Sequence, residues 1–453
     1  MAKADGTEPA TRPGATRRDP APGRRFPPAR GAGARAPTGP GRSSGRSIRR
    51  VDPTPCARRC PLSAEILDRP VPSAGVRSVP HRRASLHRAA PALGLFAAAR
   101  LTGTLVLAGW AWHIGRSPRA LLAKSWDSAW YAQIAAHGYG RTLHRPDGVI
   151  QSDLAFFPLY PGLVRAVTSV LPVSFGTAGL LVSWLSAGAA AWGIYLVGER
   201  LYGRPTGVVL VLLWGLLPHS IVLTMAYTEP LMTALAAWAL YALLTRRPLW
   251  AAALAALAGL SRPSGIAVAA AVLAAAAYEL WRGRGRMDRR MWAAAALAPV
   301  GWLSYLLWVG ARRGDLLGGY FAVQDGWTSR FDFGVGALRF VRDMLGGRTQ
   351  FGFAMALLIT AAGVMLFALL ALVDRPPLPV LVYTGVLVLI TVCGSGFFES
   401  KPRFLLPAFP LLLPLAHALT KARPGAAIVV ITALAGLSFS YGVYALTMAY
   451  MAL

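Results

Sequence analysis

The stretch FGFAMALLITAAGVMLFALLALV, Phe351 to Val373, contains no charged residue. A hydrocarbon core of ~30 Å is crossed by a helix of ~20 apolar residues, so this segment is long enough to span a bilayer. Working outward, charge is equally scarce over Ala251–Leu260. Only 15% of the 453 residues are charged, 55% are apolar, and the mean hydropathy is +0.46. Soluble domains are nearer a quarter charged. The chain therefore reads as an all-α multi-pass membrane protein, and a soluble Ala/Leu-rich helical repeat is the lesser alternative.

Residues 1–90 differ in kind. They hold 19 Lys and Arg against 6 Asp and Glu, which is +13 of the chain's +28, and are rich in Pro, Gly, Ala and Ser. Such a segment cannot bury enough apolar surface to offset its ordering entropy, so it reads as a disordered tail. It lacks the compact apolar core of a signal peptide. Gly, Ala, Arg and Pro all use GC-rich codons, so a start codon placed too early would give the same composition. No function is assigned to the tail. Cys56, Cys60 and Cys393 read as non-functional thiols, because CARRC lacks the CxxC spacing and no second pair completes a zinc site.

Residues 91–453 then form a membrane domain of about eleven spans. These are Leu93–Ile114, Phe175–Val197, Thr206–Met225, Pro230–Leu244, Leu249–Leu260, Gly265–Leu280, Met291–Val309, Phe351–Val373, Leu378–Phe397, Leu405–Leu419 and Ala426–Tyr450. With the basic tail inside, the inner connections become ERLYGR, TRRP, WRGRGRMDRR, DRPP and TKARPG, each short and basic as the positive-inside rule expects. The outer connections are a first loop over 115–174, AYTEP, SRPSG, a long loop over 310–350, and FFESKPRF. Pro158, Pro161 and Arg165 make DLAFFPLYPGLVRAVTSVLP a poor span and a better outer, partly membrane-lying helix. Pro263 interrupts two short apolar segments. An out-and-back pair there keeps WRGRGRMDRR inside.

This topology gathers Asp127, Glu229, Arg262, Gln324, Lys401 and Arg403 on one side. In SWDSAWYAQIAAHGYG, Ser125 can cap a helix ending at Gly138, and Asp127 would lie in its first turn, where the dipole favours a negative charge. An ionised carboxylate there can take a proton from a sugar or inositol hydroxyl. Trp130 and Tyr131 can anchor the helix at the interface. In FFESKPRF, an Arg fork plus a Lys point charge form a clamp for a lipid phosphate. Glu229, with Thr228 as a possible cap and Pro230 behind it, begins a span. Arg262 must find a phosphate, a carboxylate or water, and Glu229 is a candidate partner. If helical, YFAVQDGWTSR aligns Tyr320, Gln324 and Trp327 on one stripe, suited to sugar hydroxyls and faces. Plain capping, snorkelling and an aromatic belt would leave similar local patterns. His137, His144 and His219 show no metal spacing, and no Walker loop, GxSxG, HExxH or acidic DxD-type pair occurs.

The order WDSAWYAQIAAHGY, FFPLYP, YTEP, SRPSG, FAVQDGWTSR, KPRF resembles the PIG-V family, the mannosyltransferases of glycosylphosphatidylinositol-anchor synthesis and their bacterial relatives. The resemblance covers roughly residues 95–450, and the tail has no place in it. It implies a GT-C-like bundle with the site on outer-face loops. It also implies transfer of mannose from polyprenyl-phosphate-mannose to a lipid-linked glycan on the non-cytoplasmic face, with inversion. In it Asp127 resembles the general base, Trp126 its neighbour, and Phe156, Phe157 and Pro158 the helix lining the site. Glu229, Arg262, Gln324 and Arg403 resemble positions near the sugar phosphate. Lys401 is added from charge and proximity, and Trp327 from the helical stripe. No metal or cofactor is expected, since cations can hold the leaving phosphate. The partners implied are membrane lipids, the donor and the acceptor, with no nucleic acid. The composition resembles that of a high-GC bacterium and the location its plasma membrane. Two alternatives are a transporter or flippase, although no internal repeat is evident, and a GT-C enzyme for another sugar.

Overall fold

A computed structural model describes residues 82–146, 148–347 and 350–449. Cys56, Cys60 and most of the expected tail lie outside these residues. Helix α1, Arg82–His113, already begins within the segment read as tail. The chain continues with α2 Pro118–Lys124, α3 Asp127–His137, a hairpin of β1 Thr142–His144 and β2 Ile150–Ser152, α4 Leu159–Val170, α5 Phe175–Tyr202 and α6 Arg204–Gly215. Then come α7 Glu229–Leu244, α8 Pro248–Gly259, α9 Ile266–Arg282, α10 Arg289–Leu297, α11 Val300–Arg313, α12 Gly319–Asp325 and α13 Val335–Leu345. The last five are α14 Phe351–Leu369, α15 Leu378–Cys393, α16 Lys401–Phe404, α17 Leu413–Lys421 and α18 Pro424–Thr447.

This is an all-α multi-pass membrane fold. Among the described residues six helical segments are long and apolar enough to cross a bilayer, or seven if one bent pair counts as a span. Six of the eleven expected spans fall on these long segments, four fall on short helices, and Leu405–Leu419 falls on the bent pair. Helices α6 and α8 have 12 residues, and α7 and α15 have 16. At 1.5 Å per residue, 12 residues rise only ~18 Å, less than the hydrocarbon thickness.

The breaks fall at prolines and glycines. The expected span to Met225 stops at Gly215, and a 3-10 turn at Ser220–Thr224 follows Pro218. A ring at Pro218 would clash with the carbonyl four residues back. The expected span to Phe397 ends at Cys393, before Gly394 and Gly396. Segments Phe398–Phe404 and Phe409–Lys421 meet at a 78° bend across Pro407. That bend turns α16 away from the direction of α17.

Helices α5, α7 and α8 pack in sequence, and α8 also packs against α9, α10 and α11. Helices α8 and α9 also pack on each other, as an out-and-back pair would. Their turn is tight: a Cβ on Gly265 would lie 2.1 Å from the Ala258 carbonyl oxygen. Gly265→Ala is therefore expected to destabilise the protein by about 1–3 kcal/mol through overpacking, read as a lowered Tm in detergent. The same turn carries Arg262, so activity should fall with it.

Candidate functional site

The site residues come from four breaks between helices. Asp127 is the first residue of α3, Glu229 the first of α7, Arg262 lies between α8 and α9, and Arg403 is the third residue of α16. Helix α3 packs on α4 and α5. Tyr131 fixes it there, with its ring 5.2 Å from Phe156 and 5.0 Å from Tyr160. The start of α4 is tied to the Arg262 turn by Leu159 N–H donating to the Leu260 carbonyl at 3.0 Å. The Tyr131 and Thr228 hydroxyls lie 3.3 Å apart.

These breaks bring the four charges into one chain. Arg403 Nη1 donates to Asp127 Oδ2 at 2.7 Å. Arg403 Nε lies 3.3 Å from Glu229 Oε1, a contact too poorly angled to be a hydrogen bond. Arg262 Nη1 makes a direct ion pair with the same Glu229 oxygen and donates to Thr228 Oγ1 at 3.2 Å. The Arg403 guanidinium lies 5.2 Å from the ring centroids of both Tyr227 and Phe404. Two cations and two carboxylates thus alternate as Asp127, Arg403, Glu229, Arg262.

Exposure separates the two acids. The Glu229 side chain is 1% exposed and Arg403 8%, whereas Asp127 is 24% exposed. Glu229 is the buried counter-ion of two arginines. Asp127 is the more accessible of the two carboxylates.

The sequence reading needs correction at several points. Ser125 does not cap α3. It ends α2, and its hydroxyl donates to the Leu121 carbonyl at 2.7 Å. The residue before the helix is Trp126, held at φ +47 and ψ −117, a conformation that costs a bulky residue about 1–3 kcal/mol. Trp126 packs on the main core. Thr228 precedes α7 but caps nothing, and its hydroxyl serves Arg262 and Tyr131. Tyr131 is buried, not an interfacial anchor. Lys401 is not brought to the charge cluster. Its ammonium donates to the Thr391 and Gly394 carbonyls, the latter at 2.7 Å, and so satisfies the end of α15.

Gln324 and Trp327 pack against the segment that precedes α4. Gln324 Nε2 donates to Tyr320 Oη at 2.6 Å and faces the Ala155 carbonyl at 3.4 Å. Trp327 Nε1 donates to the Ser152 carbonyl at 2.9 Å, and its ring meets Trp130 and Phe156, each at 5.3 Å. Neither contacts the four charges directly. Burial raises the Tyr139 phenol above its ordinary value, so it stays a neutral donor to the Phe156 carbonyl at 2.7 Å. Among the described residues no group of three His, Cys, Asp or Glu could hold a metal.

Tyr227 was missed from sequence, where His219 shows only a lack of metal spacing. Tyr227 is fully buried beside Arg403, and its hydroxyl has no hydrogen-bond partner among the described residues. Its place one residue before Thr228 in AYTEP was the only signal. His219 lies on an apolar cavity of about 220 Å³, with Leu213, Leu217, Gly363, Pro402 and Leu405. This cavity borders α16, the helix that carries Arg403.

No family model matches the chain, and no curated protein does. Solved structures with a similar course include ArnT from Cupriavidus metallidurans bound to undecaprenyl phosphate. It is 16% identical, with a TM-score of 0.48 over 76% of this chain and 63% of that one. The Archaeoglobus fulgidus oligosaccharyltransferase in its apo form is 14% identical, with a TM-score of 0.43 over 78% and 55%. The archaeal oligosaccharyltransferase AglB from the same organism, in complex with an inhibitory peptide and a dolichol-phosphate, gives 13% and 0.42 over 78% and 55%. The chain spans less than two thirds of the length of each.

Proposed function

We propose that this protein is a membrane mannosyltransferase. It moves mannose from polyprenyl-phosphate-mannose to a lipid-linked acceptor on the non-cytoplasmic face of the plasma membrane. The observation that carries the reading is one accessible carboxylate, Asp127, hydrogen-bonded to a buried arginine beside an apolar cavity. That combination suits a base, a phosphate and a lipid chain in one place. The short basic connections support the outward orientation.

In this mechanism Asp127 accepts the proton of the acceptor hydroxyl as that oxygen attacks the anomeric carbon. The bond from that carbon to the phosphate oxygen breaks on the opposite face, and its electron pair stays with the phosphate, so a β donor gives an α product. Arg403 spends Nη1 on Asp127 and turns Nε toward Glu229, which leaves Nη2 for a phosphate oxygen. Glu229 holds Arg403 and Arg262 in place. Burial makes these charges act more strongly than they would in water. The leaving phosphate is stabilised by cations, so the step is proposed to need no general acid and no metal.

Membranes containing the full chain, given radiolabelled polyprenyl-phosphate-mannose, are expected to move label into a new lipid product. Label that stays in the donor, or solute uptake without transfer, overturns the reading.

A further inference from the structure

A second cavity shares the α16 turn with the apolar one. It holds about 240 Å³ and is lined by Phe340 of α13, Phe353 of α14, and Ser395, Phe398, Glu399 and Lys401. Its character is different. Phe340 stacks on Phe398 with centroids 4.5 Å apart and planes 25° apart, and Phe353 meets Phe340 edge-on at 5.1 Å. Lys401 is committed to the two carbonyls at the end of α15. Glu399 is half-buried. Its carboxylate meets its own backbone N–H, and the Arg403 charge acts on it through space.

The cavity thus offers an aromatic wall and one carboxylate, whose roughly four lone-pair sites exceed the single backbone bond it makes. An anion would be repelled by Glu399, and a metal would find a single carboxylate. A lipid chain is better served by the apolar cavity next door. A sugar ring meets both features: its C–H face packs on phenylalanine, and its hydroxyls donate to a carboxylate. The size is below the ~300–1,000 Å³ of pockets for drug-sized ligands, which suits one ring. The cavity is also pinned to the long loop. Asp332 and Gly334 N–H groups both donate to the Cys393 carbonyl, and Ser395 N–H donates to the Arg330 carbonyl at 2.7 Å.

We infer that this cavity binds one sugar ring of the acceptor, with Glu399 taking its hydroxyls and Phe340 its face. The inference rests on the transferase reading for the word acceptor, but not for the binding. Only Pro402 separates Lys401, on the cavity wall, from Arg403, which reaches Asp127.

The test uses the full chain purified into lipid nanodiscs and titrated with methyl α-mannoside, followed by saturation-transfer NMR. Wild type is expected to bind saturably. Glu399→Gln and Phe340→Leu are expected to weaken binding by roughly tenfold or more, while Phe340→Tyr, which keeps the aromatic face, retains it. Melting temperatures of all three identify any variant that has merely unfolded. In the transfer assay, Glu399→Gln should raise the KM for acceptor by a similar factor and leave the KM for donor unchanged. Unaltered glycoside binding by Glu399→Gln and Phe340→Leu overturns the inference, as does tighter binding of choline than of the glycoside. A wild type that binds the glycoside but transfers no mannose overturns the transferase reading and leaves the sugar site standing.

Discussion

Asp127→Asn is expected to lower transfer at least about a hundredfold, since general-base catalysis contributes ~10²–10⁴ in rate. A hundredfold corresponds to about 2.7 kcal/mol of barrier. The substitution removes the proton acceptor but keeps an oxygen that can accept from Arg403 Nη1, 2.7 Å away in the native site. Arg403 also keeps Glu229 as its second counter-ion. Folding should therefore survive, and the variant should reach the membrane in normal amount with a Tm close to wild type. The measurement is label transfer per mole of folded protein at saturating donor. A rate within a few-fold of wild type would remove Asp127 from the chemistry. Glu229 is a poor substitute base, because its side chain is 1% exposed and already faces two arginines.

That distinction between the two acids could not be read in the sequence. Asp127 and Glu229 both begin a helix, and each pattern admits plain N-terminal charge as its explanation. Only the packing shows that α7 starts deep in the bundle and α3 nearer its edge. The helical segments themselves were legible, because long uncharged stretches such as Phe351–Val373 leave a bilayer chain little choice. Their ends were less so. Pro218 and Pro407 break helices that hydropathy alone joins, since an apolar window does not register a missing N–H. Arg403 and Lys401 show the same limit at closer range. Two residues apart on a short helix, they point to different partners. Arg403 meets carboxylates, and Lys401 meets the carbonyls of Thr391 and Gly394. Charge and nearness in sequence grouped them, and the direction of each side chain divides them.

Arg403→Ala is expected to abolish transfer and to destabilise the fold, and the two losses can be separated. Removing the guanidinium strips Asp127 of its only ion-pair partner among the described residues and leaves Glu229 with Arg262 alone. Breaking a buried ion pair from one side typically costs about 3–5 kcal/mol, because the remaining charge is left uncompensated. Much of that cost resides in the orphaned carboxylates, not in lost packing. Adding Asp127→Asn to Arg403→Ala should therefore restore part of the Tm, while transfer stays at background. Arg403→Lys should be intermediate in stability and still poor in transfer. An ammonium is a point charge and cannot reach Asp127, Glu229 and a phosphate as a planar fork does. Lys401→Met is the contrasting case: it should lower Tm by unsatisfying the end of α15, yet cost the folded fraction far less transfer at saturating acceptor than Arg403→Ala does. If Arg403→Ala retained transfer in proportion to its folded fraction, the arginine would be a structural counter-ion only. The leaving phosphate would then have to be held elsewhere, with Arg262 the nearest remaining cation in the cluster.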